Sequence, residues 1–437
     1  MNISVERKND VQEPTRLLNT NYVLLWQGQF VSRAGSELFS IAMMLWVKEV
    51  TESSSILGML MMLASIPAVF SSALGGVFAD RFSRKKIIVT SDTISGLLMF
   101  SLGTLMFIYP THVRVILLGM FIVVTLNGIV SSFFIPAVTA SIPSIVPREM
   151  IERANSLRQA SFRVAGFIGT AMGGFLYKAI GAPMIVLING LTYWISAVSE
   201  AFINIPEVNR GQGEDSGTLL ARIKQDLKEG FDFMWHFPGL RGLFLASAIL
   251  NFFTMPIMVL LPFYVLDFLK IGEEWVGLLL LALGVGSLMG SIFAGIFRFR
   301  GKRRALVLIL AMLVQGLTPI ALGLFIVPSL AVIFACLSGM MGGFIFVNII
   351  SILQQVITTR MRGRVFGLLN TFSASIAPLG MGVGGIVGDL TGKNVPLVFI
   401  ACGAIIIFII LLVAMRRSFR QFLAFDQPET PESASAR

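Results

Sequence analysis

Long apolar segments separated by short polar stretches run along the chain from residue 22 to residue 415. A helix rises 1.5 Å per residue, so about 20 residues cross the roughly 30 Å apolar core of a membrane. Twelve segments reach that length, with approximate bounds 22–47, 55–79, 87–109, 114–142, 154–178, 183–204, 240–266, 275–297, 305–327, 329–356, 365–388 and 396–415. The pattern predicts an all-α integral membrane protein with twelve transmembrane helices.

Charged residues are scarce, and most of them lie between the apolar segments. Only 13% of the 437 residues are charged and 55% are hydrophobic, whereas about 25% of residues are charged in soluble domains. If the N-terminus is cytoplasmic, the basic clusters fall in the inner loops and the tail, at 81–86, 148–153, 298–304, 360–364 and 416–420. The positive-inside rule therefore predicts that both termini are cytoplasmic, and it explains the net charge of +10 without nucleic acid as a partner.

One polar stretch, 206–239, is much longer than the other connections and divides the chain in two. Its part 218–235 has apolar residues at helical spacing, which is typical of an amphipathic helix at a membrane surface. The halves resemble each other, since GGFLYKAIG at 173–181 is similar to GGIVGDLTG at 384–392. The predicted parts are a cytoplasmic N-terminal segment 1–21, an N-terminal six-helix bundle 22–205, a cytoplasmic linker 206–239, a C-terminal six-helix bundle 240–415 and a cytoplasmic tail 416–437.

The loop between the second and third segments has the sequence GVFADRFSRKK at 76–86. It resembles the signature loop of the major facilitator superfamily, G-x-x-x-D-R-x-G-R-R, with Ser83 in place of the second Gly. The resemblance implies two six-helix bundles and a loop that acts as a cytoplasmic latch, favouring one of two access states. The latch residues that it implies are Gly76, Asp80, Arg81, Arg84 and, at the start of the eleventh helix, Arg364. A plain positive-inside anchor would explain the basic residues but not Asp80.

Two further stretches resemble drug exporters of the same superfamily. The run VAGFIGTAMGG at 164–174 is similar to the fifth-helix motif of drug antiporters, G-x-x-x-G-P-x-x-G-G, although Ala165 and Thr170 replace a Gly and the Pro. The run NYVLLWQGQFVSRAGS at 21–36 resembles the macrolide-efflux branch, which implies a drug:proton antiporter. Small residues also permit close helix crossing in any membrane protein, so this packing role is open for Gly169, Gly173 and Gly174.

Several ionisable residues fall inside apolar segments, where a charge is costly and is retained mainly for function. Arg33 and Glu37 are four residues apart on one face of the first helix. Glu37 is the first candidate for a proton-coupling carboxylate, and Asp92 in the third segment is the second. The alternatives are a structural ion pair for Arg33 and Glu37, and a helix-contact or latch-network role for Asp92. Glu200, near the inner end of the sixth segment, is expected to be interfacial.

Polar amides inside the fourth, seventh, ninth and tenth segments suggest a cavity. In lipid, each amide must find a hydrogen-bond partner or face water. The predicted substrate cavity is lined by Arg33, Asn127, Asn251, Phe252, Gln315 and Asn348. Hydrogen bonds from these amides to neighbouring helices are an equally good explanation.

The remaining candidate chemistry is sparse, so no cofactor and no metal site is expected. His112 and His236 lack metal-ligand spacing, and Cys336 and Cys402 both lie in apolar segments. No clustered catalytic set is visible, which disfavours an enzyme. The expected function is proton-coupled efflux of amphipathic or lipophilic small molecules across the cell membrane, by alternating access in a monomer. The alternatives are export of an endogenous siderophore, lipid or metabolite, proton-coupled import, and a membrane receptor or scaffold.

Overall fold

A computed structural model of the chain describes residues 16–205, 228–229, 231–232, 235–357 and 359–425. Within these ranges, the side chains of residues 68–77, 80, 238, 359–360, 362–364, 370 and 373–374 are not described. The predicted surface helix 218–235 and the predicted linker 206–239 lie largely outside the described residues.

The regular structure of the described residues is entirely helical. The helices are α1 (Thr20–Thr51), α2 (Ser54–Arg81), α3 (Arg84–Ile108), α4 (Val113–Ile145), α5 (Ile151–Ala201), α6 (Pro238–Phe263), α7 (Glu274–Ile296), α8 (Gly301–Leu324), α9 (Pro328–Val356), α10 (Thr359–Leu390), α11 (Val395–Met415) and α12 (Arg417–Leu423). A 3-10 turn precedes α5 at Arg148–Met150, and a π turn follows α6 at Tyr264–Phe268.

Helix α5 contains the fifth and sixth predicted segments, so α6 corresponds to the seventh. The two arms of α5 meet at Gly181, whose φ of 72° and ψ of 167° lie outside the helical region. Glycine adopts a positive φ without steric cost, and the adjoining Pro183 has no N–H for a helical hydrogen bond. The helix is therefore kinked here, between the two apolar segments.

Nine helices among the described residues are long and apolar enough to cross a membrane, by length and composition. These are α1, α3, α4, α5, α6 with its π turn, α7, α8, α9 and α11. Helices α2 and α10 contribute shorter apolar segments, Ser54–Pro67 and Ser375–Leu390. The all-helical membrane architecture is confirmed, and the number of crossings stays a prediction.

The chain forms two compact units. The described residues within Met1–Ala42, Pro67–Gly169 and Ala179–Gly213 belong to unit 1, and those within Met43–Ile66, Thr170–Lys178 and Glu214–Arg437 belong to unit 2. The core of unit 1 includes Tyr22, whose hydroxyl donates a hydrogen bond of 2.7 Å to the carbonyl of Ala154. The core of unit 2 includes Phe244, Phe344 and Phe419, so the short helix α12 packs against α6 and α9.

Helices α7 and α9 cross within unit 2 at a contact that requires glycine on both sides. A Cβ atom at Gly286 or Gly290 would overlap the backbone of Cys336 or Met340. A Cβ atom at Gly339 or Gly343 would likewise overlap the backbone of α7. Small residues let membrane helices approach this closely, and the approach supplies the dispersion contacts that hold them together.

Replacing Gly290 with Ala should destabilise unit 2, because the new methyl group must push α7 and α9 apart. We expect the free energy of unfolding to fall by about 1–3 kcal/mol, the usual cost of overpacking. Thermal unfolding of the purified protein in detergent measures this effect. Gly295→Ala on the same helix is the matched control, since a Cβ atom at Gly295 has open space around it. Equal unfolding midpoints for the two variants would contradict the packing account.

Candidate functional site

The charged pair of the first helix forms as expected within unit 1. Arg33 Nη2 lies 2.5 Å from Glu37 Oε1, and the side chains are 50% and 21% exposed. A Cβ atom at Gly169 of α5 would come within 2.5 Å of the Glu37 Cβ and 2.9 Å of the Ala34 carbonyl oxygen. Glycine at position 169 thus lets the first arm of α5 pass directly against the turn of α1 that carries Glu37.

Tyr193, on the second arm of α5, interacts with two of the predicted cavity residues. Its hydroxyl is 3.0 Å from the hydroxyl of Ser36 on α1. It also interacts with the side chain of Asn127 on α4 and with the charge of Arg33. Sequence reasoning missed Tyr193, although a signal was present. Asn189, Tyr193, Ser196 and Glu200 recur at spacings of four, three and four residues, which places them on one helix face.

A pair of acidic side chains lies deeper in the same unit. Asp92 of α3 and Glu200 of α5 are 2% and 1% exposed, and their carboxyl groups interact with each other and with Ser196. Glu200 therefore does not face solvent, and its depth relative to the membrane interface stays a prediction. Glu200 is one residue from the end of α5, but α3 runs alongside this arm of α5 and covers it.

Unit 2 contains a cavity of about 350 Å³ between α6, α7, α8 and α9, with Ile406 of α11 also in its lining. Its lining includes Leu261, Leu283 and Pro319, together with the polar side chains of Thr254, Ser287, Gln315 and Ser338. No charged side chain is among the described residues that line it. The volume is at the lower end of the range for small-molecule pockets, and the mainly apolar lining with a few polar groups is typical of them.

Gln315 is the one predicted cavity residue that lines this cavity. Asn251 and Asn348 instead donate hydrogen bonds to carbonyl groups one turn earlier in their own helices, at Ser247 and Phe344, over 2.9 and 3.0 Å. The ring of Phe252 packs edge-on against Phe253. These three residues are not among those that line the cavity.

The predicted latch loop forms the end of α2 and the start of α3. The Arg84 guanidinium donates hydrogen bonds to the carbonyl of Ala140 at 2.7 Å and to the hydroxyl of Ser144 at 3.3 Å, both on α4. Arg81 is exposed. The side chains of Asp80 and Arg364 and the surroundings of Gly76 lie outside the described residues, so their part in a latch stays a prediction.

Asp389, in the last turn of α10, accepts a set of hydrogen bonds from the start of α2, within unit 2. The Ser54 and Ser55 backbone N–H groups donate to its carboxylate over 2.9 and 3.0 Å, and the hydroxyls of Ser53 and Ser54 donate over 2.7 and 2.9 Å. The carboxylate thereby satisfies N–H groups that have no partner within a helix. Gly385 and Gly388 permit this approach, because a Cβ atom at either would overlap Ser54.

Glycines on α5 also meet α7 in unit 2. A Cβ atom at Gly174 would overlap the backbone of Glu273 and Glu274, and a Cβ atom at Gly277 would overlap the carbonyl of Thr170. Gly173 is buried in the same turn of α5. The Gly-rich run therefore contains close helix contacts in both units, at Gly169 in unit 1 and at Gly174 in unit 2.

Apolar helices of membrane-spanning length, buried carboxyl groups and an apolar cavity together define a polytopic membrane protein of the transporter class. The sequence profile of the Major Facilitator Superfamily matches residues 25–380 and 243–434. The chain belongs to this superfamily. It is therefore a multi-pass transporter of the cell membrane rather than an enzyme.

Several relatives of the chain are named as efflux proteins. The chain is 25% identical over 403 residues to macrolide efflux protein A of Streptococcus pyogenes, covering 92% of this chain and 96% of the relative. It is 25% identical over 349 residues to the multidrug efflux pump Tap of Mycolicibacterium fortuitum, covering 76% of this chain and 80% of the relative. The predicted resemblance to the macrolide-efflux branch is confirmed.

Solved structures agree on the fold. A bacterial homologue of the human lysosomal transporter Spinster, in an inward-facing and unoccupied conformation, gives a TM-score of 0.68 at 12% identity, covering 93% of this chain and 98% of that chain. The nucleoside transporter NupG gives a TM-score of 0.66 at 16% identity, covering 92% and 100%. At these identities the likeness establishes the fold and not the cargo.

Proposed function

We propose that this protein is a proton-coupled exporter of lipophilic or amphipathic small molecules. The observation that carries the proposal is Asp92, a carboxyl group that is 2% exposed in an apolar helix of a chain whose relatives include efflux proteins. A charge at such a position costs several kcal/mol, and in transporters acidic residues of this kind mark proton pathways. The apolar cavity of unit 2 is the proposed receptacle for the apolar part of the cargo.

The proposed topology follows from the basic residues. The clusters at 81–86, 298–304 and 416–420 stand on the cytoplasmic side if there are twelve crossings and both termini are inside. The N-terminal bundle 22–205 and the C-terminal bundle 240–415 would then alternate in exposing a cargo path, as a monomer, with the linker 206–239 and the termini 1–21 and 416–437 in the cytoplasm. In this orientation Asp92 is on the cytoplasmic side of Arg33 and Glu37.

The proposed mechanism couples cargo to protons through Glu37 and Asp92. Both carboxylates would accept protons from the more acidic outer side and release them to the cytoplasm, with cargo moving in the opposite direction. Arg33 offsets the charge of Glu37 at 2.5 Å, whereas no described Lys or Arg forms an ion pair with Asp92. A proton is therefore the simplest group that can neutralise Asp92 when it is shielded from water.

Replacing Asp92 with Asn or Glu37 with Gln should reduce proton-driven transport at least about tenfold, because each amide keeps the shape of the carboxyl but cannot exchange a proton. Transport of a lipophilic substrate into proteoliposomes with an imposed proton gradient measures the effect. Glu149→Gln is the matched control, since Glu149 is an exposed carboxylate outside the long helices. Full gradient-driven activity in both site variants would rule out this coupling assignment.

A second candidate function is export of an endogenous lipid or lipophilic metabolite. The same uncharged cavity lining favours it, because an apolar site discriminates weakly between a drug and a natural lipophile of similar size. Competition between a drug-like cargo and total lipid extract in the same proteoliposome assay separates the two functions.

A further inference from the structure

The polar face of the second arm of α5 is enclosed by helices α1 and α3 within unit 1. A Cβ atom at Gly28 of α1 would come within 2.8 Å of the Ser196 hydroxyl, and a Cβ atom at Gly96 of α3 would overlap the indole of Trp194. The Trp194 indole N–H donates a hydrogen bond of 3.3 Å to the carbonyl of Thr93, next to Asp92. Both helices thus run close to α5, and they seal the region around Ser196 and Glu200.

The polar groups in this sealed region have unused hydrogen-bonding capacity. Asp92, Ser196 and Glu200 are at most 2% exposed. Asp92 Oδ2, Ser196 Oγ and both carboxylate oxygens of Glu200 have no hydrogen-bond partner of good geometry, although the three side chains are close enough to interact. Buried polar atoms are nearly always satisfied, so these oxygens require a proton or another ligand.

The chemistry of the cluster identifies that ligand. Two carboxylates in contact within an apolar protein interior repel each other strongly when both are ionised. None of the described Lys or Arg side chains forms an ion pair with either of them. A single proton between the two carboxyls removes half of the charge and supplies the missing hydrogen bond. A metal cation is a poorer fit, because it needs more oxygen ligands than two carboxyls and one hydroxyl provide.

We propose that Asp92 and Glu200 form one site that holds a shared proton, and that this pair is where the transported proton is loaded. The proposal rests on the proton coupling proposed above and adds Glu200 to it. Among the described residues, Tyr193 on the arm that carries Glu200 interacts electrostatically with Asp92, and it also interacts with the charge of Arg33 on α1. Two carboxyls that share a proton titrate as a unit, so changing one of them alters the titration of the other.

The pH dependence of transport tests the shared site. In Glu200→Gln, Asp92 loses its like-charged neighbour and faces an amide that can donate a hydrogen bond. Ionised Asp92 is then less disfavoured, and we expect the pH midpoint of transport to move by about one unit or more toward acid. Glu200→Asp retains a carboxyl group and should shift the midpoint less. A purely structural role for Glu200 predicts a lower rate with an unchanged midpoint, which would overturn the proposal.

Infrared spectroscopy of the purified protein gives a second readout that does not depend on transport. Wild-type protein at neutral pH should show the carbonyl band of a protonated carboxyl, and Asp92→Asn/Glu200→Gln should lack it. An unchanged band in a folded double variant would overturn the shared-proton site.

The two proposals can also fail separately. If Asp92→Asn reduces transport while Glu200→Gln changes neither the pH midpoint of transport nor the infrared carbonyl band, the shared site is wrong and the proposed proton coupling stands. Transport driven by a sodium gradient alone would overturn both.

Discussion

Ser338→Phe should reduce export of a lipophilic cargo by an order of magnitude or more while the protein remains folded. Ser338 of α9 lines the 350 Å³ cavity of unit 2. A phenyl ring there would occupy much of the space proposed for the cargo. Because the ring is covalently attached to α9, the cargo cannot displace it, and cargo binding is weakened. Initial rates in proteoliposomes, over a range of cargo concentrations, measure the loss.

Ile333→Phe provides the control on the same helix. Ile333 is 56% exposed on α9 and is not among the residues that line the cavity, so the larger side chain adds no volume to the proposed site. Both variants should unfold at nearly the same temperature. Equal transport by Ser338→Phe, Ile333→Phe and wild-type protein would show that the cargo does not use this cavity.

Asp389→Ala should release the start of α2 and accelerate hydrogen exchange there by about 10- to 100-fold. The substitution removes the acceptor for the Ser54 and Ser55 N–H groups and for the hydroxyls of Ser53 and Ser54. Hydrogen bonds to a charged group contribute about 1.5–3 kcal/mol each, and local opening free energy sets the exchange rate. Exchange measured by mass spectrometry on a peptide covering residues 53–58 reports the change.

Glu52→Ala tests whether the effect belongs to Asp389. Glu52 directly precedes the same turn and pairs with Lys393 at 3.4 Å, but the two side chains are 72% and 39% exposed. Exposed pairs contribute little, so exchange in the 53–58 peptide should stay near the wild-type rate. A similar acceleration in both variants would mean that fraying of α2, rather than loss of the Asp389 cap, explains the result.

The helices could be predicted from the sequence because long apolar segments separated by polar stretches are a local signal of membrane helices. Each of the twelve predicted segments falls within an observed helix, apart from a few residues at their ends. The boundary between the fifth and sixth segments coincides with Gly181, where a positive φ ends the helical path. Glycine and proline mark such breaks in any context, so local chemistry sufficed.

The residues around the carboxyl pair were harder to predict. Asp92 was visible as a charge in an apolar segment, but Glu200 lies one residue from a helix end, where charged side chains commonly reach water. Its burial depends on α3, more than 100 residues earlier in the chain. The cap formed by Asp389 is a similar case, because it joins residues 335 positions apart. Contacts of this kind depend on helix packing that no local pattern encodes.

Proton-driven uptake into inside-out membrane vesicles tests the central proposal most directly. Vesicles containing the protein, with an acidic lumen, would be offered lipophilic cations, macrolides and siderophores. We predict that at least one lipophilic compound accumulates in the lumen, that a protonophore abolishes its accumulation, and that Asp92→Asn vesicles do not accumulate it. Accumulation that persists without a proton gradient, or cargo that leaves the vesicles when the lumen is made acidic, would contradict a proton-coupled exporter.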